Sequence, residues 1–483
     1  MKSRLRIFIA ATMLVIPIHL TAQHRQYRVI VLPPDGGANS FLAGYLFYAP
    51  LTNRGALGVA ADTSTPDAPP FNSYTWIKGR QIGLQPLPQL PNLTGTNTFI
   101  NWINEWGLAA GYGTRTNSVS GASLDNAAIW APNGHVFELS TPEGDQSRAV
   151  WINDFGQVSG WIENSTPDAC AFGVGLQFQS QAVVWEFGIM VRLGTLGGAN
   201  SYGEFINNRG QVAGHSETST VPDPNTGCPP VDPFIWQNGN IVDINPGNFG
   251  GGVGGINFLN HRGEAVGFGA LQGDVDYHPF LWNNGKITDL FTVGNLGGGF
   301  GAGYNVNEEG HAVGISSLRG DESYHAVLWR GGEFVDLKTL PGDACSQPYR
   351  INSHDQIVGA SAPCDFGTQR AFIWEDGEIV DLNMLIPADS GIRLESATWI
   401  NEHGEIAAQG ILAASGESRA VLLIPDRDCD NECEAAIREN QPNAEVAARA
   451  PGTPALSAEE KAQLRIRARR PMGHTARREQ KPN

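Results

Sequence analysis

The sequence predicts an all-β fold, a β-propeller of four-stranded blades closed by the N-terminal strand, on three observations. A segment of the form apolar-Asn-x-x-Gly-x-apolar recurs eight times. Each copy is followed by a second strand-like run that usually carries a Trp, and the chain opens on a segment patterned like the last strand of a repeat. The recurring Asn are Asn53, Asn104, Asn153, Asn207, Asn260, Asn307, Asn352 and Asn401, spaced on average about 50 residues apart, a period typical of short-stranded propeller blades. No such unit can bury its apolar face without neighbours. The 483 residues therefore read as one repeated domain over residues 27–425, with eight blades as the count and seven as the alternative.

The first residues have the form of a secretory signal. Lys2, Arg4 and Arg6 precede the apolar run Ile7 to Leu20, and Thr21-Ala22 offers small residues for cleavage after Ala22. That run is about 14 residues long, short of the roughly 20 that span a bilayer. Residues 1–22 thus predict export to the periplasm or the exterior rather than a membrane anchor, and the rest of the chain is not membrane-spanning.

Repeat four shows the unit most plainly. Phe205-Ile206-Asn207 ends one strand, Asn208-Arg209-Gly210 turns, and Gln211 to His215 begins the next. Pro233-Phe234-Ile235-Trp236 forms a third strand, and Gln237 to Asn240 turns into a fourth, Ile241 to Ile244. An Asn at the turn's start bonds the backbone ahead of it, and Gly accepts the positive φ that closes a short hairpin. The repeated Asn and Gly are accordingly assigned to hairpin geometry, not to a ligand.

The third strand carries Trp76, Trp130, Trp185, Trp236, Trp282, Trp329 and Trp374, with Leu423 in the last copy. A large ring at one point of every sheet predicts packing between blades. Repeat eight has no fourth strand of its own. Tyr27 to Ser40 matches Met190 to Ser201 in pattern, so residues 27 to 33 are expected to complete the last sheet and remove an open edge.

The strings Leu193-Gly194-Thr195-Leu196-Gly197-Gly198, Phe205 to Gly214, and Tyr324-His325-Ala326-Val327-Leu328-Trp329 resemble the bacterial extracellular HAF-repeat proteins, named for a His-Ala-Phe strand. The likeness covers roughly residues 27 to 425 and implies export and a repeated all-β fold. It lends no catalytic residue. The full triplet is absent: His278-Pro279-Phe280, His325-Ala326-Val327 and Arg370-Ala371-Phe372 are the nearest. A His that Arg can replace is not expected to be catalytic.

A four-stranded meander puts the Asn-x-x-Gly turns and the hairpins after the Trp strand on one face. The other face collects the longer segments: Ala61 to Ser73, Gly113 to Asn126, Ile162 to Ser180 and Ser216 to Asp232, with glycine-rich links Gly250 to Gly255 and Gly297 to Gly303. Long loops on a rigid scaffold often carry binding residues, so this face is the expected surface of action. Cys170 and Cys228 occupy equivalent loops of neighbouring repeats, and Cys345 and Cys364 flank one hairpin, which predicts two disulfides in an exported chain. Cys429 and Cys433 are the remaining pair.

Residues 426–450 form an acidic exit segment. Asp426, Asp428 and Asp430 resemble the opening of a calcium loop, but the sixth position lacks Gly and the twelfth is Ile437 in place of a bidentate Glu. The reading therefore favours a disulfide-pinned exit over a calcium site, and no other cofactor or metal is expected. Residues 451–483 form a basic tail with a short helix capped by Ser457 and Glu460.

The formal charge of −17 is divided. The tail carries eight Lys or Arg against three Glu, and with the cationic signal set aside the middle lies near −25. So acidic a body disfavours nucleic acid. Nucleophile elbows, zinc-protease helices and phosphate loops are missing from the sequence pattern. The expected function is that of an exported, monomeric binding or structural protein whose partner is a glycan, a peptide or the cell envelope. The alternative is a polysaccharide hydrolase or lyase with carboxylates at the channel mouth.

Overall fold

Short apolar runs separated by Asn- and Gly-bearing turns become antiparallel hairpins, and every repeat contributes two of them. The computed structural model describes residues 26–44, 51–63, 71–117, 123–139, 141, 146–170, 178–223, 227–244, 249–364 and 368–426. The signal 1–22, Asp428, Cys429, Asp430, Cys433 and the tail 451–483 lie outside them. Among the described residues the strands pair as eight antiparallel four-stranded meanders.

Blade one comprises Gly36–Leu42, Leu57–Thr63, Phe71–Ile77 and Arg80–Gly83, and blade two Leu93–Ile103, Ala109–Asn117, Ser123–Trp130 and Val136–Glu138. Blade three runs Ser147–Ile152, Val158–Pro167, Phe178–Glu186 and Ile189–Arg192, and blade four Ser201–Ile206, Val212–Glu217, Val231–Gln237 and Asn240–Asp243. Blade five is Gly250–Leu259, Ala265–Leu271, Tyr277–Asn283 and Lys286–Asp289, and blade six Gly297–Val306, Ala312–Leu318, Tyr324–Arg330 and Glu333–Lys338. Blade seven follows with Cys345–Ile351, Ile357–Ala362, Arg370–Glu375 and Glu378–Asp381. Single parallel pairs, Asn72 with Thr98 and Val231 with Val253, touch blade one to two and four to five.

Blade eight closes the fold as expected. Ile392–Ile400, Ile406–Leu412 and Ser418–Pro425 are its own strands, and Tyr27–Val31 pairs antiparallel to the last of them, from Tyr27 opposite Pro425 to Val31 opposite Val421. Both faces of this N-terminal strand are buried. Tyr27, Val29 and Val31 join the core shared with blade seven, while Ile30 and Leu32 join the core shared with blade one. The period-two alternation of a strand lets five consecutive-region apolar residues serve two interfaces at once. Blade eight also bonds blade one directly: Leu42 N donates to Gln409 Oε1 at 3.2 Å, and Ser418 N donates to Asn39 Oδ1 at 2.9 Å.

The repeated Trp packs inside. Trp130 is fully buried, Trp185, Trp329, Trp76 and Trp374 nearly so, and Trp282 and Leu423 are buried as well. Trp236 differs, being only partly buried, so its truncation should cost less than that of Trp130. The indole N–H finds a loop carbonyl where it is enclosed: Trp130 Nε1 donates to Gln85 O at 2.8 Å and Trp329 Nε1 to Gly294 O at 3.1 Å.

A second repeated glycine is explained by the first strand of each blade. That strand bulges, for example between Gly203 and Phe205, and its carbonyl presses on the next strand. A Cβ on Gly214 would lie 1.8 Å from Tyr202 O, and one on Gly314 2.0 Å from Ala302 O. Backbone cannot step aside as a flexible side chain can. We expect Gly214→Ala to destabilise the protein by at least about 3 kcal/mol in urea unfolding; a loss below about 1 kcal/mol would show that the bulge yields.

Three sequence expectations are corrected. Gly250 to Gly255 and Gly297 to Gly303 are not links but the first halves of the inner strands of blades five and six. Their glycines leave room for neighbours, as at Gly301, where a Cβ would meet the Phe291 ring at 2.6 Å. In repeat one the turn begins at Thr52, not Asn53, and in repeat seven Asp355, at φ +59°, takes the place of the glycine. Gly55 sits at φ +73° and its N–H donates to Thr52 O at 3.1 Å, so the glycine three residues on sets the register.

Candidate binding surfaces

The turn face is built on the repeated Asn. In blade four, Asn207 Oδ1 accepts from Arg209 N at 3.0 Å and Gln211 N at 3.1 Å, which is the hairpin role expected of it. Its Nδ2 does something the sequence did not suggest: it donates to Asn260 O of blade five at 3.0 Å. The same latch runs Asn104 to Asn153 O, Asn153 to Asn207 O, Asn260 to Asn307 O, Asn307 to Asn352 O, Asn352 to Asn401 O, and Asn401 to Thr52 O. Thr52 has no amide to pass on, and there the chain of latches stops. These groups are buried, where an unmade amide bond costs more than in water.

The second turn residue makes a parallel set of links. Glu105 N donates to Asp154 Oδ1 at 3.0 Å, Asp154 N to Asn208 Oδ1 at 2.9 Å, His261 N to Glu308 Oε1 at 3.0 Å, Ser353 N to Glu402 Oε2 at 3.0 Å, and Glu402 N to Asn53 Oδ1 at 2.9 Å. Asn53, displaced from the latch position, is thus used here. Glu105 accepts from Asn53 N at 3.0 Å, and burial holds its carboxyl above the usual range. Glu105, Asp154, Glu308 and Glu402 at this mouth are thus acceptors for neighbouring backbone.

Among the described residues, side chains from seven blades converge on the axis behind these turns. Two residues before each turn Asn stand Trp102, Trp151, Phe205, Phe258, Asn305, Arg350 and Trp399. Trp102 stacks on Trp151 with ring centroids 3.4 Å apart and meets Trp399 edge-on at 5.0 Å. Phe258 lies 6.1 Å from Trp151 and 6.5 Å from Trp399. Blades two and eight, three and five, and five and eight are not neighbours, so these rings meet across the axis. Arg350 places its guanidinium 4.0 Å from the Trp399 ring and 4.7 Å from Phe258, and donates to Asn305 Oδ1 at 3.2 Å. Sequence reading missed this plug because its residue types differ from blade to blade; the fixed offset before the Asn was the available signal.

On the other face the disulfides form as expected. Cys170 pairs with Cys228, their Cα atoms 5.5 Å apart, tying blade three to blade four, and Cys345 pairs with Cys364 at 5.1 Å. The expected loops are shorter than the sequence suggested, because their ends continue the ladders: Ala61 pairs with Asn72, Gly113 with Asn126 through Thr116 with Ser123, Glu163 with Ser180, and Ser216 with Asp232. Segments 64–70, 118–122, 171–177 and 224–226 lie outside the described residues. Beside the first disulfide, the buried Glu217 accepts from Ala199 N, Asn200 N and Asn200 Nδ2 at 2.9, 3.1 and 2.9 Å. Asn200 Nδ2 also reaches Asp168 Oδ2 at 2.9 Å. The Gly197-Gly198-Ala199-Asn200 string therefore closes a polar junction between blades three and four.

The His of the third strand is structural. His278 pairs with Asp289 at 2.8 Å, His325 with Asp336 at 2.9 Å, and Arg370 with Asp381 at 3.2 Å. Each Asp also caps the link that follows, accepting from Phe291 N, Lys338 N or Asn383 N. A cation or imidazole that orients the cap suffices, which is why Arg substitutes for His. His215 is likewise occupied on both nitrogens, by Glu204 at 2.9 Å and by Ile256 N at 3.2 Å.

Asp336 gives a pH signature. Burial pushes its carboxyl up, but the bonds from His325 and Lys338 N outweigh that and leave it below the ordinary value. A depressed carboxylate contributes stability above its unfolded pKa and loses it as pH falls through the folded one. The melting-temperature gap between wild type and Asp336→Asn should therefore be widest above about pH 5 and narrow on acidification. A gap that stays constant down to pH 3 would contradict this.

Asp426, the first calcium candidate, binds Arg28 Nε at 3.1 Å and its N–H donates to Gln26 O at 3.1 Å, securing the N-terminal strand. No cluster of three metal-ligating side chains occurs among the described residues, and no described helix is long and apolar enough to cross a membrane.

No family model matches the chain, and no curated protein matches it. Solved structures similar to it include a puromycin-hydrolysing peptidase of Mycobacterium tuberculosis, 10% identical with a TM-score of 0.40 over 79% of this chain and 62% of that one. Dipeptidyl peptidase 4 of Porphyromonas gingivalis is 11% identical, with a TM-score of 0.44 over 82% of this chain and 61% of that one. TolB of Acinetobacter baumannii is 10% identical, with a TM-score of 0.31 over 82% and 96%. The chain spans about three fifths of the two peptidases. The propeller assignment stands on strand pairing, and these likenesses assign no activity.

Proposed function

We propose that this chain is an exported β-propeller of the HAF-repeat type, a binding or structural protein that acts through its long-loop face. The observation that carries this reading is the Cys170–Cys228 bond, which joins loops of two blades at a place where the strand pairing of each blade is already complete. Ordering such loops reduces the entropy lost when a partner binds. The disulfides also fit an oxidising compartment and the signal-like residues 1–22. The reading is supported further by titratable groups that the scaffold engages: His278, His325, His215, Glu217 and the turn carboxylates Glu105, Asp154, Glu308 and Glu402.

Glycan and peptide arrays probed with the exported chain test it. A hit that is lost when 171–177 is replaced by a short Gly-Ser linker, with the melting curve kept, is the expected result. Turnover of that hit would replace the binding role by an enzymatic one. Export is tested separately by N-terminal sequencing of the mature chain, which should begin at Gln23.

A further inference from the structure

The third residue of this four-residue turn is exposed in all eight blades, and its side chain does not shape the turn, which the first residue, Asn or in blade one Thr52, and the fourth, Gly or in blade seven Asp355, set. Its occupants include a single carboxylate, Glu309 of blade six. Blades one to five carry Arg54, Trp106, Phe155, Arg209 and Arg262; blades six to eight carry Glu309, His354 and His403. Five consecutive blades thus present cations and aromatic rings with no carboxylate at this position, on a chain whose formal charge is −17.

The rings stand out. Trp106 is 56% exposed and Phe155 68%, and Phe187, on the outer hairpin of blade three and so on the same face, is 88% exposed. Three of the four exposed aromatic residues described, Phe137 being the fourth, therefore crowd the turn tips of two adjoining blades. Exposed apolar clusters of this kind mark interaction sites. Trp106 is also held in place: its Nε1 donates to Asp154 O at 3.1 Å, and the Arg54 guanidinium lies 4.2 Å from the ring centroid. Arg209 Nη1 donates to Arg262 O at 2.6 Å. Among the described residues no ion pair within 4 Å engages Arg54, Arg209 or Arg262; Arg54 acts at longer range on Glu105, which with Asp154 accepts from neighbouring backbone in the same turns. The turns beneath are cross-linked by the two sets of inter-blade bonds, which makes the arc rigid before any ligand arrives.

We propose that this arc is a binding surface for an acidic polysaccharide of the uronate class, separate from the long-loop face. A pyranose offers one flat face of C–H bonds for an aromatic ring, and its carboxylate matches the fork of a guanidinium. A polymer that alternates the two fits rings flanked by arginines. Strand addition by a peptide is disfavoured, because turn tips present no free strand edge. Nucleic acid carries a charge about every 1.7 Å of duplex, a density that the acidic body opposes, whereas a polyuronate carries one carboxylate per sugar.

The test is titration calorimetry of the exported chain with polygalacturonate and with alginate oligomers, at low and moderate salt. The double variant Trp106→Ala with Phe155→Ala should weaken binding at least about tenfold. The triple Arg54→Ala, Arg209→Ala, Arg262→Ala should remove both binding and its salt dependence. Glu309→Ala, outside the arc, should leave affinity unchanged or raise it. All these positions are exposed, and circular-dichroism melts must match wild type for the comparison to count; Trp106→Phe, which keeps a ring, should retain most affinity. The inference is overturned if neither polyuronate binds a correctly melting wild type, if binding is indifferent to both variant sets, or if an oligothymidylate binds in their place. Array hits that survive Trp106→Ala with Phe155→Ala belong to the long-loop face, so the two readings fail independently.

Discussion

Removal of residues 23–34 should leave a protein that unfolds at far lower urea and self-associates. The deletion strips Tyr27, Val29, Ile30, Val31 and Leu32 from two cores. At about 1.5 to 3 kcal/mol for each buried apolar side chain the loss is on the order of 10 kcal/mol, comparable with the whole stability of many domains. It also uncovers the backbone of Ser418–Pro425 as an open edge. Light scattering and urea unfolding read both effects. A synthetic peptide spanning residues 26–34 added in trans should restore the monomer and raise the midpoint. Wild-type unfolding by the truncated chain would mean that the strand decorates the ring without closing it.

The second large effect is expected at the axis. Trp151 is 5% exposed and is touched by Trp102, Phe205 and Phe258 from three other blades. Its truncation to Ala leaves a cavity that strand pairing prevents from collapsing, and should cost about 3 to 5 kcal/mol. Trp236→Ala, partly exposed at its own site, should cost less. If urea unfolding ranks the two the other way round, the rings at the axis are not packed as described.

Much of this architecture is legible in residues whose neighbours are close in sequence. Phe205 to Gly214 gives the hairpin because Asn207 and Gly210 act on backbone within four residues of themselves. The match of Tyr27 to Ser40 with Met190 to Ser201 gives closure because equivalent repeats occupy equivalent places. The Cys170–Cys228 pairing follows from the same equivalence, and Cys345–Cys364 from flanking one hairpin. What was not legible depends on relations that the period does not encode. Trp102 touches Trp399 because a circle brings distant blades together, and no spacing along the chain announces that. Thr52 replaces Asn at the turn, and the adjacent Asn53 masked the substitution. Gly250 to Gly255 looked like a linker because glycine-rich strands are rare; here the missing side chains admit those of neighbours. The candidate surface on the turn face was hidden for a related reason: a tight turn conserves its shape through two residues, and the exposed third varies without leaving a motif.

Hydrogen–deuterium exchange of the intact chain tests the closed circle most directly. Peptides covering Tyr27–Leu32 and Ser418–Pro425 should be protected together, exchange as slowly as the inner strands, and lose protection in one step on heating or in urea. Rapid exchange across 27–32, with 418–425 behaving as a frayed edge, would contradict closure and the ring that depends on it.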